Sequence, residues 1–146
     1  MALWYCEPMT MFDFGNGPVP AHQHSNGGGW VADTAQVADT AYVGPDARVF
    51  DRATVLDRAA ILGNACVFNG AYASNDAKVF GNAKVFDCAC VLDNAWISDD
   101  AEVYGNSCVW SNAWVYGKAR VSEDAQVGGD ARVGGDAQLY YNDQVF

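Results

Sequence analysis

Few residues in this chain carry the chemistry of a site. His22 and His24 are separated by one residue, so on an extended segment both imidazoles point the same way. Gathered around a symmetry axis they are the only metal candidates, but two imidazoles without a third ligand do not close a zinc site. No metal and no cofactor is therefore expected. Five cysteines (Cys6, Cys66, Cys88, Cys90, Cys108) form an odd set, and Cys88-x-Cys90 lacks the two-residue spacer of a zinc or redox pair. The first residues lack a basic stretch followed by an apolar core, so no secretion signal is expected, and reduced thiols in a cytoplasm follow. Asp57, Asp93, Asp99 and Asp100 sit in turn-forming dipeptides, which reads as turn chemistry before catalysis.

Charge narrows the partners. Eighteen acidic residues against eight Lys and Arg leave a formal net charge of −10 in 146 residues. Such a chain is ill suited to a nucleic-acid polymer, whose affinity comes from cations, or to an anionic membrane. No run approaches the roughly 20 apolar residues of a membrane span.

The elements that must position these residues follow from a repeat. From Gly29 to Asp143 a small residue recurs every six positions, giving twenty hexads, and in seventeen of them it is Ala. Two positions on, nineteen of twenty residues are Val, Ile or Leu, Ala73 being the exception. Each hexad ends in turn formers such as Asp57-Arg58, Gly63-Asn64 and Gly135-Asp136. A period of six does not fit a helix. Short strands fit: within Ala-x-Val-x the Ala and Val share one side and the x residues the other. The expectation is an all-β domain over 29–146 preceded by an arm or cap over 1–28, where Pro18, Pro20 and several glycines break the pattern.

The hexad V-x-[GD]-[ND]-A-x resembles that of the hexapeptide-repeat proteins. The resemblance implies a single left-handed parallel β-helix of triangular section, here about six to seven coils of eighteen residues, and points to a homotrimer. With its Gly-rich lead-in from His24 to Val31, the chain also resembles phage and prophage proteins built of such repeats, which implies the cytoplasm of a bacterial host.

Residues eighteen apart then stack in columns, and the outer surface becomes legible. Phe50, Phe68, Phe86 and Tyr104 form one column, with Tyr72 across the next corner. Leu92 and Trp110, with Trp96 and Trp114 across a further corner, form another edge. Two different apolar edges flanking one face suit a ring-closing contact between subunits. Cys90 and Cys108 stack in the face between these edges. Strand spacing slightly exceeds the Cβ separation of a disulfide, so free thiols are expected. Arg48, Lys84, Lys118 and Arg120 crowd the remaining edge beside Tyr116, a candidate site for a small anion.

No histidine falls within a coil. The resembling acyltransferases use a coil histidine as base, and the resembling carbonic anhydrases hold a metal with three. An enzyme is therefore not expected. The leading expectation is a trimeric scaffold that sequesters a nucleotide-like ligand or a host protein in clefts between subunits. An acyltransferase using an acyl-CoA donor and a structural spike or tip element are the alternatives.

Overall fold

The computed structural model describes residues 8–146. Among them there is no helix, and none long and apolar enough to cross a membrane. The chain is a parallel β-solenoid of about six turns. An arm supplies β1 (Met11–Asp13) and β2 (Pro18–Gln23), and β3 (Trp30–Ala32) opens the repeat. Nineteen two-residue strands follow, one per hexad, from β4 (Gln36–Val37) and β5 (Tyr42–Val43) to the last at Gln144–Val145.

Every third strand joins the same sheet, so the solenoid has three faces. The sheet running from β4 is face one, that from β5 face two, and that from β3 face three. Neighbours pair in parallel with a constant offset of eighteen, as in Tyr72 with Thr54 and Cys90, or Lys84 with Cys66 and Glu102. The constancy comes from the core. Almost every inward Ala and Val from Ala41 to Val127 is fully buried. Only a small side chain fits where two faces converge, Ala in nearly every coil and Ser107 in one, and Val or Ile fills the centre except at Ala73.

The corners carry the conformational load. From Asp51 to Tyr141 the first corner residue of all sixteen hexads has φ between +53° and +68°. For a residue with a Cβ this costs about 1–2 kcal/mol, and hydrogen bonds between coils offset it. Six corner carboxylates accept the backbone N–H of the corner residue eighteen on: Asp51 from Asn69, Asp57 from Asn75, Asp87 from Gly105, Asp93 from Ser111, Asp99 from Gly117 and Glu123 from Tyr141. Asn side chains extend the ladders, as Asn69 Nδ2 does in donating to Asp87 Oδ1 at 3.2 Å. Asp57, Asp93 and Asp99 are therefore structural turn residues, and Asp100 accepts from Asn82 Nδ2 at 3.2 Å.

The second corner residue donates its N–H to the corner carbonyl of the next coil. Where the corner is Asp, Asn or Ser this bond is 2.9–3.0 Å, as in Arg58 to Asn75 or Asn94 to Ser111. After Gly63, Gly81, Gly105 and Gly117 it shortens to 2.7–2.8 Å. Coils thus approach more closely at glycine corners. In the first coil the corners at Asp33, Asp39 and Pro45 lie outside the left-handed region, which proline cannot enter. There the hydroxyls of Thr34 and Thr40 take over, donating to the carbonyls of Asp51 and Asp57.

The arm closes two of the three sheets at this end. β2 lies antiparallel on β3, and β1 lies antiparallel on β2. On face two, Val43 donates to Asn26 O and accepts from Gly29 N, at 3.0 and 2.9 Å. No described strand lies outside β4 on face one.

Candidate functional site

The outer positions stack as the offset of eighteen requires. Phe50, Phe68, Phe86 and Tyr104 form a continuous half-buried ladder with ring centroids 4.8–5.0 Å apart and planes within 6° of parallel. The first coil has only Ala32 in this column, buried beneath the arm. Phe14 of the arm supplies the missing ring, stacked on Phe50 at 4.9 Å, while Phe12 stacks on Trp30 at 4.6 Å. Tyr72, half-buried between Thr54 and Cys90, stands across the corner.

The tryptophan edge is built differently. Trp96 and Trp114 are register partners, but their rings meet edge to face at 74°. Each leans diagonally across face two toward the preceding coil. Trp114 donates Nε1–H to Ser98 Oγ at 2.8 Å, and Trp96 sets itself edge-on to Phe80 at 5.8 Å. Tyr116 packs on Trp114 at 4.7 Å, its ring lying over Gly134, where a Cβ would come within 2.2 Å of it. Trp110 likewise lies over Gly128 and meets Phe146 at 5.9 Å. Leu92 is half-buried on the same edge.

This leaning opens a groove of about 320 Å³, lined by Asn94, Trp96, Asn112, Trp114 and Arg132. Trp96 is 40% exposed there. A cation stands on each tryptophan: Lys78 Nζ is 5.3 Å from the Trp96 ring centre, and the Arg132 guanidinium is 5.9 Å from that of Trp114.

The basic edge is less concentrated than its residue types suggest. Arg48, Lys84 and Arg120 share one outer column, with Cys66 and Glu102 interleaved. Glu102 pairs with Arg120 at 3.7 Å, and Arg48 lies over the Phe12 ring at 5.4 Å. Lys118 follows the glycine corner at Gly117, and Tyr116 packs on Trp114. Burial pushes the Cys66 thiol pKa up, while Arg48 and Lys84 pull it back down. A groove of about 260 Å³ between arm and solenoid includes Arg48, Phe12 and Trp30.

The two histidines do not share a side. Strand β2 ends at Gln23, so the alternation expected of an extended arm stops before His24. Exposed His22 donates Nδ1–H to Asp33 at 2.7 Å. His24 is 5% exposed and donates Nε2–H to Ala41 O at 2.8 Å, capping a carbonyl of face two. Among the described residues no three His, Cys, Asp or Glu side chains converge on a metal position.

Cys66, Cys88, Cys90 and Cys108 are free thiols, and Cys6 lies outside the described residues. Cys90 and Cys108 are register partners. Burial first, and then the neighbouring Cys108 thiol, push the Cys90 pKa up from its ordinary value of 9.0 to about 11.

Sequence reasoning assigned Trp96 and Trp114 to an apolar edge and missed Arg132, Lys78, Asn94 and Asn112 as their companions. The eighteen-residue column holding Lys78, Trp96, Trp114 and Arg132 was the available signal. Comparison of the chain with family models, with curated proteins and with solved structures gives no match.

Proposed function

We propose that this protein is a non-catalytic β-helical scaffold that assembles as a homotrimer and holds a small anionic, nucleotide-like ligand or a host protein in clefts between subunits. The observation that carries the reading is the pair of aromatic edges flanking face one. One is the rigid ladder from Phe14 to Tyr104, the other the tryptophan edge from Trp96 to Trp114. Trp96 is exposed and the ladder rings are half-buried, and apolar side chains aligned in this way favour a subunit contact. Two unlike edges on one protomer can meet each other around a closed ring. The outward corner carboxylates are already committed to the backbone, which supports a scaffold over a catalyst.

Native mass spectrometry tests the assembly. The expected species is three times the 15.6 kDa chain, about 47 kDa. A species of one chain mass at micromolar concentration refutes the trimer. Replacing Phe68 by Glu puts a charge into the middle of the ladder and should release monomers that retain the β circular-dichroism spectrum.

A further inference from the structure

The inference rests on the reading of the tryptophan edge as cleft-lining surface and names what binds there. We propose that the groove between Trp96, Trp114 and Arg132 binds a nucleoside monophosphate, with the base on Trp96 and the phosphate at Arg132.

Four observations converge on this chemistry. First, Trp96 carries the Lys78 ammonium 5.3 Å from its ring centre but no stacked ring. In the phenylalanine ladder each ring is covered by the next, but the 74° crossing of Trp96 and Trp114 leaves a face that no aromatic neighbour stacks upon. A nucleobase gains from such a platform whatever its identity. Second, the opposite wall is fixed in advance. Trp114 is held by its bond to Ser98 and by Tyr116, so ordering it costs a ligand little.

Third, the charge is placed for an anion. The chain carries −10, yet Lys78 and Arg132, which flank the two tryptophans in this column, have no carboxylate within ion-pair reach among the described residues; the ion pairs there are His22–Asp33, Arg58–Asp76 and Arg120–Glu102. Arg132 lies two coils beyond Trp96, roughly 10 Å at the usual strand spacing. That backbone separation is one that a base joined to its phosphate through a ribose can span. Fourth, the edge of the groove can address the base. Asn94 Nδ2 is engaged with Asn112 Oδ1 at 3.4 Å, and Asn112 Nδ2 with Asp130 Oδ1 at 3.0 Å. That leaves the Asn94 carbonyl oxygen as an acceptor for an exocyclic amine. A groove of about 320 Å³ is at the small end of ligand sites, which suits one mononucleotide and not a larger dinucleotide.

The test is isothermal titration calorimetry of the assembled protein with AMP, GMP, CMP and UMP, with adenosine and inorganic phosphate as the two halves of the ligand. At least one monophosphate should bind with a Kd of about 1 mM or tighter. The halves should each bind at least tenfold more weakly. Trp96→Ala and Arg132→Gln should each weaken binding by about tenfold or more. Arg120→Gln, on the basic edge, should leave it unchanged. Both Trp96 and Arg132 are exposed, and Arg132→Gln alone carries the test should the tryptophan variant fold poorly. No saturable binding of any monophosphate at millimolar concentration overturns the inference, and so does binding that Arg120→Gln abolishes and Arg132→Gln spares. Native mass recorded on the same samples separates the two claims: a 47 kDa species without nucleotide binding removes this ligand and leaves the scaffold, while a monomer removes the scaffold.

Discussion

Replacing Gly105 by Ala should destabilise the solenoid more than the same change at Gly63. Both residues are corners in the left-handed region, at φ +67° and +58°. Each substitution therefore carries the left-handed cost of a Cβ, about 1–2 kcal/mol, less about 0.5–1 kcal/mol because alanine loses less freedom on folding. The two differ in what the new Cβ meets. At Gly105 it falls 2.6 Å from Glu123 N and 2.9 Å from its Cα, backbone that cannot swing aside. At Gly63 the nearest atoms are Gly81 N and O at 3.1 Å, which a shift of a few tenths of an ångström relieves. Relief at Gly105 must lift one coil off the next, against the 2.7 Å bond from Asn106 N to Glu123 O. Straining or losing that bond adds about 1–2 kcal/mol. The totals are about 2–3 kcal/mol for Gly105→Ala and about 1 kcal/mol for Gly63→Ala. For a chain of this length the difference corresponds to roughly 3–6 °C in Tm. Differential scanning calorimetry at one fixed protein concentration measures it, since the proposed assembly would make Tm concentration-dependent. Equal shifts, or a larger shift for Gly63→Ala, would refute the argument that glycine corners set coil spacing.

Four further outcomes are expected. Phe14→Ala removes the ring stacked on Phe50 and should speed hydrogen exchange of β2 by roughly fivefold, as about 1 kcal/mol of stacking is lost, while amides from Val85 to Val103 keep their protection; uniform loss of protection would mean the arm is integral to the core. Iodoacetamide at pH 8.5 should alkylate exposed Cys88 well before Cys90, because only the thiolate reacts and Cys90 keeps its proton until about pH 11. The same upward shift means the folded state holds that proton more tightly than the unfolded chain does, so its contribution to stability is present below pH 9 and is lost as pH rises from about 9 to about 11; chemical denaturation across that window checks the sign, and a rise in stability would contradict it. Ala73→Val should destabilise by about 1–3 kcal/mol through overpacking, and adding Ile61→Val and Ile97→Val should recover most of the loss. These two Ile occupy the coils directly before and after the one buried Ala at a Val position, and a strictly additive triple variant would sink this volume exchange.

The hexads made most of this fold readable in advance. A small residue and an aliphatic one at fixed spacing, closed by Asp-Asn or Gly-Asn, leave the chain few ways to bury its Ala and Val, and the offset of eighteen between Tyr72 and Cys90 follows directly. The phenylalanine column was legible for the same reason, since flat rings at strand spacing stack face to face. The tryptophan column was not. A bulky indole finds a better partner diagonally, where Ser98 offers a small side chain and a hydroxyl, than in the ring directly beside it. Column arithmetic places a Cβ but does not fix χ1 and χ2, so the groove and its companions Arg132 and Asn94 stayed hidden. The arm was opaque for another reason. It has no period, and burial of His24 depends on the carbonyl of Ala41 seventeen residues later.

The constant offset between coils has a consequence for how such a molecule changes over generations. An outward side chain meets chiefly residues of its own face in the coils before and after it, so the three faces are nearly separate registers written on one frame. A substitution at Trp96 is felt by Lys78, Phe80 and Trp114 and hardly by Phe86 on another face. Face two can therefore be rewritten while the phenylalanine ladder is copied unchanged.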